Sequence, residues 1–207
     1  MNAPLPPLAS APAPQGRPRE FCVDKALADA LTVFWRHGYE GASMADLTAA
    51  MGITKPSLYA AFGNKEQLFR RALDLYEREK LAYVDTALEA PSPRGVAERL
   101  LRGTLALQTG GDPRGCLAMI AGTPCGAEAE SMKEEVASRR ASSKAALTRR
   151  FASFEADGLL PPGLEAAALA QYLFALIQGL ALQAGAGATP MELEQLVETS
   201  LAVWPTK

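Results

Sequence analysis

The sequence predicts an all-α chain of about nine helices, and three observations carry that reading. Apolar residues recur at three- and four-residue steps, as in Leu27, Ala30, Leu31 and Phe34. Glycines and prolines fall between such runs, and Ser43 and Thr54 stand where two of them begin. No segment alternates polar and apolar residues over a useful length, so no β-strand is expected. At 207 residues, 48% of them hydrophobic, the chain can build one large core or a small domain docked on a larger one.

Met1–Arg19 holds six prolines and few large apolar groups. It cannot bury enough surface to offset its ordering entropy and reads as a flexible arm, residues 1–19. The first helix runs from Cys22 onward and ends at Gly38 and Gly41. Ser43, with Asp46 three residues on, opens a second helix, Met44–Met51, close to a capping-box pattern. Gly52 follows it, and Thr54 can cap a third helix, Lys55–Phe62, whose early Pro56 lacks only an N–H that would be orphaned anyway. Gly63-Asn64 stops that helix, and Lys65 begins a long one reaching roughly Ala87. Pro91 and Pro93 break the chain, and a helix is expected from about Pro93 to Gln108. Gly110-Gly111-Asp112-Pro113 is a loop, followed by a short helix, Cys116–Ala121, and a break at Gly122-Thr123-Pro124. Ala127–Asp157, Leu164–Ala184 and Pro190–Val203 complete the set.

The composition excludes several classes. Three cysteines, none in CxxC spacing, give no disulfide framework. With one histidine, His37, placed as a surface residue at the end of the first helix, neither a metal site nor a cofactor is expected. No Walker loop, GxSxG, HExxH or workable Cys/His couple is present, so an enzyme is not expected. The chain lacks the basic region of a signal peptide, polar residues interrupt its apolar runs, and it reads as reduced and cytoplasmic with no membrane-spanning helix. The net charge of −2 gives no global signal for nucleic acid, but it is unevenly spread. Residues 16–72 hold eight Lys/Arg and six Asp/Glu, whereas 73–207 hold thirteen and seventeen. A mildly basic head on an acidic body suits a protein that touches phosphate with one end.

Ser43–Phe62 reads as helix, tight turn, helix. Gly52 supplies the bend, Leu47, Ile53 and Leu58 sit where apolar contacts fix the interhelical angle, and Ala49 and Ala50 are small where two helices are expected to cross. The second helix presents its N-terminal turn outward with Lys55 and Ser57, a site that favours phosphate.

These residues carry a resemblance. Gly-Ile-Thr-Lys-Pro-Ser-Leu-Tyr-Ala-Ala-Phe-Gly-Asn-Lys-Glu-Gln-Leu-Phe, residues 52–69, together with Phe-Trp-Arg-His-Gly-Tyr-Glu-Gly-Ala-Ser-Met before them, resembles the core of the tetracycline-repressor (TetR/AcrR) family of bacterial transcriptional regulators. The similarity is specific over about Phe21–Leu73; beyond it, Arg-Gly-Cys-Leu at 114–117 agrees with one branch of the family. The resemblance implies an N-terminal three-helix helix-turn-helix DNA-binding domain, residues 20–66, and a C-terminal helical ligand-binding and dimerisation domain, residues 67–207. It implies that Ser43 and Tyr59 contact phosphates, that Thr54, Lys55, Pro56 and Ser57 approach base edges or backbone, and that Lys65 grips phosphate. It further implies a homodimer through 164–184 and 190–204, and a repressor released from a palindromic operator in double-stranded DNA by a small-molecule effector.

Base reading looks thin, because Ala60 and Ala61 offer only apolar contacts and no Arg or Asn lies inside the recognition helix. DNA shape is then expected to contribute, with Arg17 and Arg19 on the arm as candidates for a narrow minor groove or as a solvated tail. Met119, Phe151, Phe174 and Gln178 are candidate effector-lining residues; each alone also reads as core packing. Cys116 and Cys125 read either as small buried groups or, with Arg114 two residues from Cys116, as a redox or electrophile sensor. An effector-independent DNA-binding regulator is the further alternative.

Overall fold

The structure is a computed structural model that describes residues 21–111, 113–121 and 130–206. Among the described residues it contains ten helices and no strand: α1 Val23–Gly41, α2 Met44–Met51, α3 Lys55–Phe62, α4 Lys65–Lys80, α5 Tyr83–Leu88, α6 Pro93–Thr109, α7 Leu117–Ala121, α8 Glu130–Ala156, α9 Ala166–Gly185 and α10 Pro190–Ala202. The arm at 1–19 and Cys125 lie outside the described residues.

The three- and four-residue spacing of α1 places Leu27, Ala30, Leu31 and Phe34 in one buried row, which α4 covers. The ring of Phe34 meets Phe69 edge-on at 5.0 Å, and that of Trp35 meets Tyr76 edge-on at 4.8 Å. At Gly38 the backbone leaves the helix with φ 71°. A Cβ there would stand 3.3 Å from the carbonyl oxygen of Ile120, so glycine both breaks α1 and lets α7 close against it. The first apolar cluster runs through α1–α4 and takes in Leu117, Met132 and Val136 from α7 and α8. A second joins α5, α6, α8, α9 and α10.

Two expectations need correction. The single helix expected from Lys65 to about Ala87 is two, because the path breaks at Leu81 and Ala82. No Gly or Pro causes this. The Tyr83 ring lies where a side chain at Gly103 would stand, and its hydroxyl hydrogen-bonds that of Thr104 at 3.0 Å. Turning Tyr83 onto α6 therefore overrides local helix propensity. Ala49 and Ala50 are exposed rather than at a helix crossing; fully buried Leu47 and Leu58 set the α2–α3 angle, with Ile53 half-buried beside them.

Polar contacts tie the two clusters together. The carbonyl of Gly115 accepts from Trp35 Nε1 at 2.9 Å and from Gln108 Nε2 at 3.4 Å, while its N–H donates to Gln108 Oε1 at 2.7 Å. Arg139 on α8 reaches Asp74 and Glu77 on α4 and Glu135 on its own helix at 2.7–2.9 Å. Burial alone would lower the Arg139 pKa, but hydrogen bonds to Asp74 and Glu135 and the charge of Glu77 outweigh it and raise it, so the guanidinium stays charged.

α9 is the strongly apolar helix expected over 164–184. By length and composition it is apolar enough to cross a membrane, with a mean hydropathy of 1.4, and only 33% of that window is buried within the chain. It packs on α8, α6 and α10, and Ala167, Ala168, Gln171, Tyr172, Ala175, Leu182 and Gln183 are exposed.

Candidate nucleic-acid interface

Three helix N-termini, each capped by its own sequence, carry the candidate residues. At α2, Asp46 N–H donates to Ser43 Oγ at 3.1 Å, while Ser43 N–H and O–H donate to Asp46 Oδ2 at 3.2 and 2.6 Å. At α3, Ser57 N–H donates to Thr54 Oγ1 at 3.3 Å, and the two hydroxyls share a hydrogen bond of 2.9 Å. At α4, Asn64 and Gln67 form the same reciprocal pair. Gly52, left-handed at φ 65°, joins α2 to α3.

Thr54, Lys55, Pro56 and Tyr59 are all exposed along α3, Ser57 is half-buried, and Tyr59 keeps 46% of its surface open. The Lys55 ammonium lies 6.0 Å from the Tyr59 ring. Ser43 is exposed, but its O–H is engaged by Asp46, so a phosphate contact requires that hydroxyl to turn away. The ammonium of half-buried Lys65 sits 4.6 Å from the Tyr39 ring, which itself packs on Phe34 and Phe69. The result is an exposed row of donors and one cation over a rigid aromatic base, an arrangement suited to phosphate and groove edges. Arg17 and Arg19 lie outside the described residues.

Two residues that serve this surface had no signal in the local sequence. Tyr39 supports Lys65. Arg71 on α4 donates to the Ala61 carbonyl at 3.1 Å and lies over the Phe62 ring at 4.7 Å, so it closes the C-terminal end of α3. Arg71→Ala is expected to weaken operator binding by about 1 kcal/mol, roughly a factor of five, with partial recovery in Arg71→Lys. A fluorescence titration of labelled operator duplex checks this.

Hydrogen bonds from Ser43, first from its side chain and then from its backbone, hold the Asp46 carboxyl below its ordinary 3.8. The folded value is depressed, so the cap's contribution is complete above the ordinary value and is lost as pH falls through the lowered one. Melting curves from about pH 5 to about pH 2 are expected to show wild type converging on Asp46→Asn at the acid end, with the two separated at the neutral end.

A cavity of about 560 Å³ lies among α4, α5, α6, α7, α8 and α9. Met119, Phe174 and Gln178 line it. Phe151 does not: it is fully buried against Phe154 and Trp204 in the second cluster. Cys116 is half-buried on the cavity wall beside Tyr76, whose phenol burial pushes far above its ordinary range. Cys22 is exposed. Among the described residues no group of His, Cys, Asp or Glu could hold a metal ion.

Fold and surface together define a helix-turn-helix regulator that binds DNA. The chain belongs to the family described as "Bacterial regulatory proteins, tetR family", whose model matches residues 26–72. HTH-type transcriptional repressor ComR of Escherichia coli (strain K12) is 34% identical over 194 residues, 92% of each chain, so the similarity runs well past the N-terminal helices. HTH-type transcriptional repressor BdcR of the same strain is 46% identical over 61 residues, 30% of this chain and 31% of that one. Among solved structures, a cysteine mutant of the TetR family transcriptional regulator CifR, complexed with 26-bp double-strand operator DNA, gives a TM-score of 0.85 at 41% identity, covering 91% of this chain and 100% of that one. A putative TetR transcriptional regulator from Rhodococcus sp. RHA1 gives 0.61 at 36% identity, covering 88% and 98%. The relatives are transcriptional regulators rather than enzymes.

Proposed function

We propose that two copies of this chain bind a palindromic operator as a cytoplasmic repressor and leave it when a small molecule enters the α4–α9 cavity. The single observation that carries the DNA-binding half is the exposed row Thr54–Tyr59, flanked by Ser43 and Lys65 at neighbouring helix N-termini. In this reading residues 20–66 meet DNA, 67–207 bind effector and partner copy, and Arg17 and Arg19 on the arm at 1–19 enter the minor groove.

Support for the dimer comes from α9 and α10. Tyr172, Leu182, Met191 and Val203 are large, apolar and exposed on this pair or at its C-terminal end, and only 33% of the apolar α9 window is buried within the chain. A second copy through 164–184 and 190–204 would cover it. Two heads one or more helical turns apart then read both halves of a palindrome. The effector is expected to be neutral and largely apolar. Asp74, Glu77 and Asp85 offset Arg78, Arg139 and Arg140 around its cavity, leaving hydroxyls, a thiol and the Gln178 amide as polar contacts.

Sedimentation tests the dimer. Wild type is expected to sediment as a dimer alone and as one dimer per duplex, while Tyr172→Glu with Met191→Glu sediments as a monomer and binds weakly. A wild-type monomer that binds the duplex with undiminished affinity would count against the reading.

One observation favours a second reading. Cys116 sits on the cavity wall within hydrogen-bonding influence of the Tyr76 hydroxyl, so the trigger would be chemical modification of this thiol rather than reversible binding. Release from operator by N-ethylmaleimide in wild type, absent in Cys116→Ser, distinguishes the two.

A further inference from the structure

A second cavity, about 610 Å³, opens on the other side of Cys116, between the C-terminal half of α1, the loop at 113–116, α7 and the end of α9. Its lining includes the apolar Met119 and Ile120, both half-buried, with the buried Trp35 and Ala181 beside them. Its charges are not balanced. Arg36 on α1 and Arg114 on the loop both line it, and among the described residues no carboxylate does. Both residues are exposed. Among the described residues neither makes an ion pair; Arg114 donates to the neutral Ala188 carbonyl at 3.1 Å, which leaves most of its five donors for a ligand. The effector cavity sets three carboxylates against its three guanidinium groups.

The cleft is built rather than a gap in packing. Gly115 has φ +93°, and a Cβ there would stand 3.2 Å from Ile120 Cδ1 and 3.7 Å from Gly185 Cα. A Cβ on Gly185 would stand 3.5 Å from Gly115 Cα. Two glycines thus bring the loop backbone directly against the end of α9 and hold Arg114 at the cavity, while the bond from Trp35 Nε1 to Gly115 fixes the α1 side. The two guanidinium groups stand on separate elements, one in the DNA-binding head and one in the body.

We propose that this cleft binds a small organic anion: a carboxylate, phosphate or sulfonate on an apolar body, its head between Arg36 and Arg114 and its tail against Met119 and Ile120, close to Trp35. The volume falls within the ordinary range of small-molecule sites, and guanidinium groups are the side chains best matched to such anions. A bound anion ties α1 of the head to the loop of the body and so changes operator affinity only as far as it prefers one head position over another. The two cavities share Cys116 and Met119 on their walls, but Arg36 and Arg114 line only this one, so the anion site does not depend on the effector reading.

The chain has two tryptophans, and Trp204→Phe leaves Trp35 as the sole reporter. The purified protein in that background is titrated with ω-bromodecanoate, whose bromine quenches a nearby indole at short range, and with the neutral ω-bromodecanol. The carboxylate is expected to quench Trp35 saturably and to bind about tenfold or more tighter than the alcohol, with Arg36→Ala and Arg114→Ala each losing about tenfold. Phe174→Ala, at a residue that lines the effector cavity and not this one, is expected to leave this binding unchanged. Equal binding of the alcohol, undiminished binding by both arginine variants, or loss of quenching in Phe174→Ala each overturns the proposal. Calorimetry with unbrominated decanoate on the otherwise wild-type chain reads the same arginine comparison should Trp204→Phe not fold. Operator titrations without any anion report on the repressor reading separately.

Discussion

Lys55→Ala and Tyr59→Ala are each expected to weaken operator binding about tenfold or more, the range for loss of a base or phosphate contact of ~1–3 kcal/mol. Both side chains project from the first turns of α3 into solvent, and neither belongs to the buried clusters. Unfolding free energy is therefore expected to stay within the usual surface range, about ±0.5 kcal/mol of wild type. The two losses differ in kind. Removing Lys55 removes a cation, so the slope of log affinity against log salt is expected to fall by about 0.9. Removing Tyr59 removes a neutral hydroxyl and a ring, so the slope is expected to hold, and Tyr59→Phe isolates the hydroxyl. Titrations of a labelled operator duplex at several salt concentrations check both. Unchanged affinity in both variants would place the DNA contact elsewhere on the chain.

The largest stability effect is expected at the joint between head and body. Trp35 is 1% exposed, meets Tyr76 edge-on at 4.8 Å and donates to the Gly115 carbonyl at 2.9 Å. Trp35→Ala removes the ring from a close-packed site and is expected to cost about 3–5 kcal/mol. At roughly 2–4 °C per kcal/mol for a chain of this size, the melting temperature falls by roughly 6–20 °C. Trp35→Phe keeps most of the packing and loses the hydrogen bond; because Gly115 still accepts from Gln108, the cost is expected near 1 kcal/mol. Thermal denaturation followed by circular dichroism separates the two. A Trp35→Ala chain melting within a degree or two of wild type would show that this aromatic contact does not hold the first cluster together.

The parts of the structure legible in the sequence are those set by local chemistry. Ser43 with Asp46, Gly52, Thr54 with Pro56, and Gly63-Asn64 each fix a helix end within a few residues, and α2 and α3 begin and end where those signals place them. The exposed row on α3 follows, because Leu47 and Leu58 bury one side and leave Thr54, Lys55 and Tyr59 on the other. What was not legible depends on packing between distant elements. The break at Leu81–Ala82 comes from Tyr83 seated at Gly103. Tyr39 under Lys65 and Arg71 on Ala61 are cross-helix contacts with no local pattern. Phe151 and Phe174 look alike as aromatics in helical runs, yet the crossing of α8 and α9 buries the first in the core and sets the second on the cavity wall. Composition alone does not separate a core helix, a membrane-spanning one and an interface helix, and α9 satisfies the criteria for more than one of them.

The most direct test of the central claim is selection of the purified wild-type chain on a random double-stranded DNA library at low salt, followed by sequencing. The account predicts enrichment of a palindromic site with two half-sites one or more helical turns apart, and loss of that enrichment when Lys55→Ala or Tyr59→Ala protein is used. No enriched sequence, or an enrichment that both variants retain, would contradict it.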